Sequence, residues 1–356
     1  MKIKILFVLS TLTGGGAERV ALNIMSALDK RKFDIHLVLL QNYGEYLKQI
    51  PEEIHTYILD VKRTLSSPLA LRKCIVEIKP DILYATLFHT IIATHIATIG
   101  IKDRPKIIFR NPTSPKRAIE EGEISLFYRI LIRYVYNRAY VVLAQTPEMK
   151  TEITDYFKVN SDIKVFINPL DIDNIKHSIL NVENVFNNAK INVVAAGRLS
   201  YEKGFDILLQ AFEKVIESDD RYYLHIIGKD EGEQQNLMAL ISDLDLSKYV
   251  KLWGFQQNPY QFFKYSNLYV LPSRIEGLPN TVLENLYLGI PVVATNCIPF
   301  MHTLIDDGNN GFIVDVENIE QLAQAILNHT TLSLEDYELK LDFGNPDELF
   351  LNIHNG

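Results

Sequence analysis

Two carboxylates, Glu276 and Glu284, stand in one short stretch, Ser273 to Gly289, with seven residues between them. An apolar run, Leu268 to Leu271, precedes the stretch and reads as a buried strand. Another, Ile290 to Thr295, follows it with Pro291 near its start. Glu276-Gly277-Leu278-Pro279 has the composition of a tight turn, and Asn280 suits a helix N-cap. Thr281 to Leu288 then forms a short helix, stopped by Gly289. One carboxylate therefore lies on the loop before the helix and the other about a turn inside it. A helix start carries unpaired N–H groups and a partial positive charge, which suit a phosphate. A carboxylate does not bind that phosphate, but it accepts hydrogen bonds from hydroxyls on either side. The pattern fits a ligand with a sugar at each end of a phosphate group, Glu276 on one sugar and Glu284 on a ribose diol. The plainer alternative is an acidic loop and a helix-start Glu stabilised by the dipole, and the pair alone does not choose between them.

A second segment, Gly197-Arg198-Leu199-Ser200-Tyr201-Glu202-Lys203-Gly204, follows the apolar run Ile191 to Ala196. Arg198 leaves the strand end and Lys203 lies just before the next helix. Two cations beside a helix start can neutralise a diphosphate and stabilise it as a leaving group. The alternative for Arg198 is a surface pair with Glu202, worth about 0–1 kcal/mol. A third segment, Gly14-Gly15-Gly16, follows Ile3 to Leu9 and opens an amphipathic helix, Ala17 to Leu28. Glycines let the backbone approach a ligand and expose the next helix's N–H groups. There is no GxGxxG and no Walker lysine, so close helix–strand packing explains this loop nearly as well.

The elements around these segments repeat a simple order. Short apolar runs recur at Ile35 to Leu40, His55 to Leu59, Ile82 to Thr86, Lys106 to Phe109 and Ala139 to Ala144, with helical stretches between several of them. The series restarts at Ile191. Alternating strands and helices imply two doubly wound parallel sheets, whose ligands sit beyond the carboxyl ends of the strands, here in the cleft between domains. The expected division is a first domain over 1–170, a polar linker over 171–190, a second domain over 191–335 and an irregular tail over 336–356.

The 356 residues carry Lys+Arg 36 against Asp+Glu 44 and only two cysteines, Cys74 and Cys297, far apart. Neither a disulfide framework nor metal-ligand spacing is present, and a reducing cytosol is the expected setting. No apolar run approaches a membrane span. Charge is uneven: residues 1–175 hold 24 basic and 19 acidic side chains, residues 176–356 hold 12 and 25. A basic first half suits an anionic partner, although a solvated surface gives the same count. No compact basic stripe or aromatic RNA-binding motif points to nucleic acid.

Taken together, the glycine loop with Ala17-Glu18-Arg19, the Gly197–Gly204 segment and Glu276-Gly277-Leu278-Pro279-Asn280-Thr281-Val282-Leu283-Glu284 resemble the family 4 glycosyltransferases, in order and separation as well as type. The resemblance covers the chain to about residue 330 and implies a GT-B fold and retaining, metal-independent transfer from a nucleotide-diphosphate sugar with no cofactor. It implies that Arg198 and Lys203 bind the donor diphosphate and that Glu276 binds the transferred sugar. Glu284 would hold the ribose, Gly277 and Leu278 would offer N–H groups, and Gly15 and Gly16 would close from the first domain. The base is expected near Gly254-Phe255-Gln256. Many relatives place a His on a first-domain loop. Here Arg110 and Asn111 follow the corresponding strand, and His89 is the candidate by position, with an ordinary loop-to-helix histidine as its alternative.

The expected substrates are a nucleotide-sugar donor, with UDP the expected nucleotide, and a glycan or lipid-linked glycan acceptor in surface-polysaccharide synthesis, such as capsule or lipopolysaccharide. A non-catalytic nucleotide-sugar-binding subunit with the same fold is the competing reading. Asp171-Ile172-Asp173 and Asp243-Leu244-Asp245 match DxD, but neither follows a strand in the first nucleotide-binding unit, so no metal is assigned. The basic aromatic segment Pro115 to Arg138 fits a membrane interface, with a packed helix and snorkelling arginines as the alternative. The protein is accordingly expected in the cytoplasm, peripheral at the inner face of the membrane. Family members usually end in a long helix that returns to the first domain. Gly344-Asn345-Pro346 leads us to expect that helix short, irregular or absent here.

Overall fold

The structure is a computed structural model that describes residues 2–13, 15–61, 66–120, 122, 124–332, 341 and 343–356. The chain forms two units, Met1–Asp171 with Asp342–Gly356, and Ile172–Leu341.

The first unit holds strands β1 (Ile3–Leu9), β2 (Phe33–Leu39), β3 (His55–Ile58), β4 (Ile82–Thr86), β5 (Lys106–Arg110), β6 (Val141–Ala144) and β7 (Ile163–Val165). Its helices are α1 (Gly16–Ala27), α2 (Pro68–Ile78), α3 (Phe88–Thr98), α4 (Pro115–Glu120), α5 (Leu126–Tyr136) and α6 (Pro147–Phe157). The seven strands pair in parallel in the order β3-β2-β1-β4-β5-β6-β7. Such strands are covered on both faces, which explains why β1 and β6 read as nearly unbroken apolar runs.

The second unit holds β8 (Ile191–Ala196), β9 (Tyr222–Ile227), β10 (Val250–Leu252), β11 (Leu268–Leu271), β12 (Val292–Thr295) and β13 (Gly311–Val314). Its helices are α7 (Ile172–Ser178), α8 (Phe205–Ser218), α9 (Gln234–Asp243), α10 (Tyr260–Lys264), α11 (Asn280–Tyr287), α12 (Met301–Leu304) and α13 (Ile319–Leu327). The order β10-β9-β8-β11-β12-β13 is again all parallel and reverses between β8 and β11. Loops diverge at such a point and leave a crevice.

Two boundaries differ from expectation. The proposed linker is built into the second unit. Ile175 of α7 is fully buried, and Phe186 stacks on the His225 ring at 4.1 Å. The Asn-rich run turns on its own side chains: Asn184 Oδ1 accepts from Phe186 N at 2.9 Å, and Asn187 Oδ1 from Ala189 N at 3.0 Å. The tail, where a return helix was expected to be short, irregular or absent, ends in the short helix α14 (Pro346–Asn355), which packs on the first unit. Asn345, not a breaker, is its N-cap, and Pro346 takes the first turn, where its missing N–H costs nothing. Phe350 and Ile353 are fully buried, with Phe350 5.9 Å from Phe7 between ring centres. Asp347 accepts from Asp29 N at 2.9 Å, and Lys106 Nζ caps the far end through the Ile353 carbonyl at 2.8 Å. Residues 333–340 lie outside the described residues.

Candidate active site

In the second unit the loops that leave β8 and β11 meet at the switch point. Gly204 is where they touch. Its φ of +64° suits glycine, and a Cβ there would lie 2.2 Å from the Pro272 carbonyl oxygen. This approach carries Lys203 to the second loop, where Nζ stands 2.6 Å from Glu276 Oε1. The same oxygen accepts from the Ser273 hydroxyl at 2.8 Å. Glu276 Oε2 has no hydrogen bond among the described residues. Lys203 also lies over Gly197, where a Cβ would press on its stem at 3.2 Å.

Arg274 locks the two loops together. Its guanidinium binds both oxygens of Asp206 at 2.8 Å, reaches Glu317 at 2.6 Å and the Tyr201 carbonyl at 2.7 Å, and lies over the Tyr201 ring at 3.9 Å. Burial acts to raise the Asp206 pKa, but Arg274 outweighs it and holds the carboxyl below its usual range. Sequence reasoning passed over Arg274 and Ser273 because their partners, Asp206 and Glu276, had to be found in space. Only the Asp206 position, two residues beyond Gly204, offered a faint cue.

Helix α11 begins without a side-chain cap. Pro279, not Asn280, stands in the cap position and has no side-chain oxygen to give. The N–H groups of Gly277 and Leu278 bond to no backbone carbonyl among the described residues. Open N–H groups at a helix start are able to receive an anion. Leu278 anchors the turn by burying its side chain. Glu284, farther along α11, is covered at 1% exposure and accepts from the Tyr260 hydroxyl at 3.3 Å. Tyr269 passes beneath, donating to Thr281 Oγ1 or the Ala196 carbonyl at 2.7 and 3.2 Å. Burial, with the charge of Glu276, pushes the Cys297 thiol up to about 12, so it stays neutral beside the site.

Arg198 turns outward. It pairs with Glu231 at 2.7 Å, half exposed, rather than with Glu202. Phe255 follows β10 through Gly254 and is half-buried. The two DxD tripeptides lie at helix ends, around the start of α7 and the end of α9.

The first-unit candidates divide. Gly14 lies outside the described residues. Gly15 is the N-cap of α1, but its N–H is taken by Glu18 Oε2 at 3.1 Å. Glu18 also accepts from Thr11 at 3.0 Å, so this buried carboxylate folds the loop rather than leaving every N–H open. Gly16 opens α1 with nothing within 4 Å of its Cβ position. His89 sits in the first turn of α3, half-buried, with its pKa lowered by burial.

Arg110 and Asn111, expected on the acceptor side, face inward instead. Arg110 is 2% exposed and donates to Asn168 Oδ1 at 2.8 Å. Asn111 is fully buried and accepts from the Tyr136 hydroxyl at 2.9 Å. Strand β5 is covered on both faces, so a side chain at its end is buried whichever way it points.

Two parallel Rossmann-type sheets, with cations and carboxylates gathered at the switch point of the second, define a GT-B glycosyltransferase. A model described as Glycosyltransferase Family 4 matches residues 14–174, and one described as Glycosyl transferases group 1 matches residues 178–344. The two matches together span most of the chain, which belongs to the family 4 glycosyltransferases. An uncharacterised glycosyltransferase of Methanocaldococcus jannaschii is 31% identical over 66% of this chain, a match spanning 60% of that protein. A Campylobacter jejuni enzyme is 26% identical over 94% of this chain and 91% of its own length. It is named an N-acetylgalactosamine-N,N'-diacetylbacillosaminyl-diphospho-undecaprenol 4-alpha-N-acetylgalactosaminyltransferase. The HepE protein of Anabaena, solved with UDP and glucose, superposes with a TM-score of 0.74 at 20% identity, covering 99% of this chain and 97% of its own.

Proposed function

We propose that this glycosyltransferase moves a hexose or N-acetylhexosamine from a UDP-sugar to a glycan or lipid-linked glycan, with retention and without a metal. The observation that carries the reading is the Lys203–Glu276 contact beside the uncapped start of α11. In this reading Lys203 and Arg198 take the diphosphate charge that builds up as the sugar leaves. The N–H groups of Gly277 and Leu278 receive a phosphate oxygen. Glu276 accepts from hydroxyls of the sugar through the oxygen that Ser273 and Lys203 leave open, and its charge favours a sugar becoming positive. Glu284 takes the ribose hydroxyls, which join or replace the Tyr260 hydroxyl, and the base lies near Phe255.

The step needs no residue as a base. The bond from the anomeric carbon to the phosphate oxygen breaks as the acceptor oxygen bonds to that carbon on the same face. The departing phosphate oxygen collects the acceptor's proton. The Campylobacter relative's diphospho-undecaprenol acceptor and the UDP bound to HepE support this choice of substrates. A lipid-linked acceptor also fits a protein held at the inner face of the membrane through Pro115–Arg138. No helix among the described residues is long and apolar enough to cross a membrane.

The test is incubation with a panel of UDP- and GDP-sugars, with and without EDTA, followed by NMR of the released sugar. The reading expects turnover of a UDP-sugar that EDTA leaves unchanged and a first-formed anomer matching the donor. Inverted product or turnover lost in EDTA overturns it.

A further inference from the structure

Arg110 is a buried cation of the first unit that no carboxylate compensates. It ends β5 at 2% exposure, and a guanidinium keeps its proton inside a protein. Its Nη2 donates to Asn168 Oδ1 at 2.8 Å, a neutral acceptor. Its Nε and Nη1 are buried and have no hydrogen-bond partner among the described residues, and no carboxylate there pairs with the guanidinium.

The groups around Arg110 add a donor and no negative charge. Tyr84 stands on β4, beside β5, two residues before Thr86, the register partner of Arg110. The two are close enough that each acts on the ionisation of the other. The Tyr84 hydroxyl is likewise buried and without a hydrogen-bond partner among the described residues. Burial pushes this phenol up to about 12, with the Arg110 charge offsetting only part of the rise, so it stays protonated. Burial raises Tyr136 too, and its hydroxyl is committed to Asn111 at 2.9 Å. The neighbouring amides serve one another and the backbone. Asn168 Nδ2 donates to Gln145 Oε1 at 3.4 Å, and Gln145 Nε2 to the carbonyls of Asn111 and Pro112 at 3.2 and 3.1 Å.

A buried charge is costly without a counter-charge, and a buried donor without an acceptor adds to the cost. One small anion answers both. It compensates the guanidinium and accepts from Nε, Nη1 and the Tyr84 hydroxyl. A carboxylate or a phosphate brings further oxygens that would need donors of their own in a covered site, whereas a halide has none. A water molecule accepts the hydrogen bonds but leaves the charge uncompensated.

We propose that Arg110 and Tyr84 hold a buried chloride ion at the carboxyl end of the first sheet, as a structural anion of the first unit. Asn168 fixes the guanidinium from the segment after β7, so the ion ties β4, β5 and that segment together. The site takes no part in the transfer step proposed above, and its test needs neither donor nor acceptor.

Melting of the full chain is followed by circular dichroism at constant ionic strength while chloride replaces gluconate, an anion too large for a covered site. The wild type should melt about 2–4 °C higher in chloride, with an effect that saturates as a binding isotherm does. Arg110→Met keeps a long side chain and removes the charge, and its melting should be the same in both salts. Tyr84→Phe removes one donor and should raise the half-saturating chloride concentration about tenfold. It also carries the test should Arg110→Met fail to fold. Crystals soaked in bromide should show an anomalous peak within hydrogen-bond reach of Arg110 Nε and Nη1. Equal melting of the wild type in the two salts, a chloride effect that both variants keep, or no bromide beside Arg110 overturns the proposal. A bromide peak there without chloride-dependent melting marks an adventitious ion only and overturns it as well.

Discussion

Lys203 Nζ and Glu276 Oε1 stand 2.6 Å apart although 73 residues separate them in the chain. Two side chains from different loops hold one geometry because the loops are joined twice, at the Gly204–Pro272 approach and through Arg274. The pair is largely shielded, with side-chain exposures of 19% and 10%. A shielded pair resists screening and presents one carboxylate oxygen in a fixed direction.

Gly204→Ala tests that joint. The new Cβ cannot fit against the Pro272 carbonyl, and a φ of +64° disfavours any side chain. The variant is expected to lose about 1–3 kcal/mol in urea unfolding and to lose donor turnover by more than the fraction unfolded explains. A substitution that leaves both unchanged means the loops do not meet as described.

Acid should destabilise the protein through His225. Trp253 Nε1 can only donate, at 3.0 Å, so His225 Nδ1 accepts and its Nε2 proton goes to Asn192 at 3.1 Å. The ring is thus held neutral, and burial, aided by Lys251, lowers its pKa to about 3. Below pH 6.5 the unfolded chain takes up a proton that the folded one refuses. Stability therefore falls as pH drops from 6.5 towards 3, and above 6.5 His225 has no effect. At pH 5 this amounts to about 2 kcal/mol. Melting temperatures of wild type and His225→Gln across pH 5–8 check it: the wild type should show the steeper decline below 6.5.

Phe350→Ala examines the return helix. Phe350 is fully buried against Phe7 and Phe33, and truncating such a ring costs about 3–5 kcal/mol. The first unit should unfold at lower urea concentration. An unchanged midpoint would mean that α14 is not docked.

Much of this was legible in the sequence. The apolar runs gave the parallel strands because a doubly covered strand has no polar face, and the turn chemistry of Glu276 to Gly289 located α11. The errors have physical causes. Asn345-Pro346 reads as a break, yet the same residues are an N-cap and a first-turn proline once Phe350 and Ile353 find a core. Asp171 to Lys190 is polar, yet its asparagines satisfy their own backbone. Arg110 looked available to a substrate because a charge at a strand end reads as exposed, yet β5 is covered on both faces to its last residue. Arg274 escaped notice since its partners are 68 residues before and 43 after it.

The most direct measurement is the split between binding and turnover in Glu276→Gln and Glu284→Gln, with nucleotide affinity by calorimetry and donor consumption by coupled assay. Glu276→Gln should lower kcat by about a hundredfold or more while leaving UDP affinity within a few fold. Glu284→Gln should weaken UDP binding by about tenfold. The opposite pattern, with Glu276→Gln losing the nucleotide and Glu284→Gln losing only turnover, would contradict the assignment of sugar and ribose to these two carboxylates.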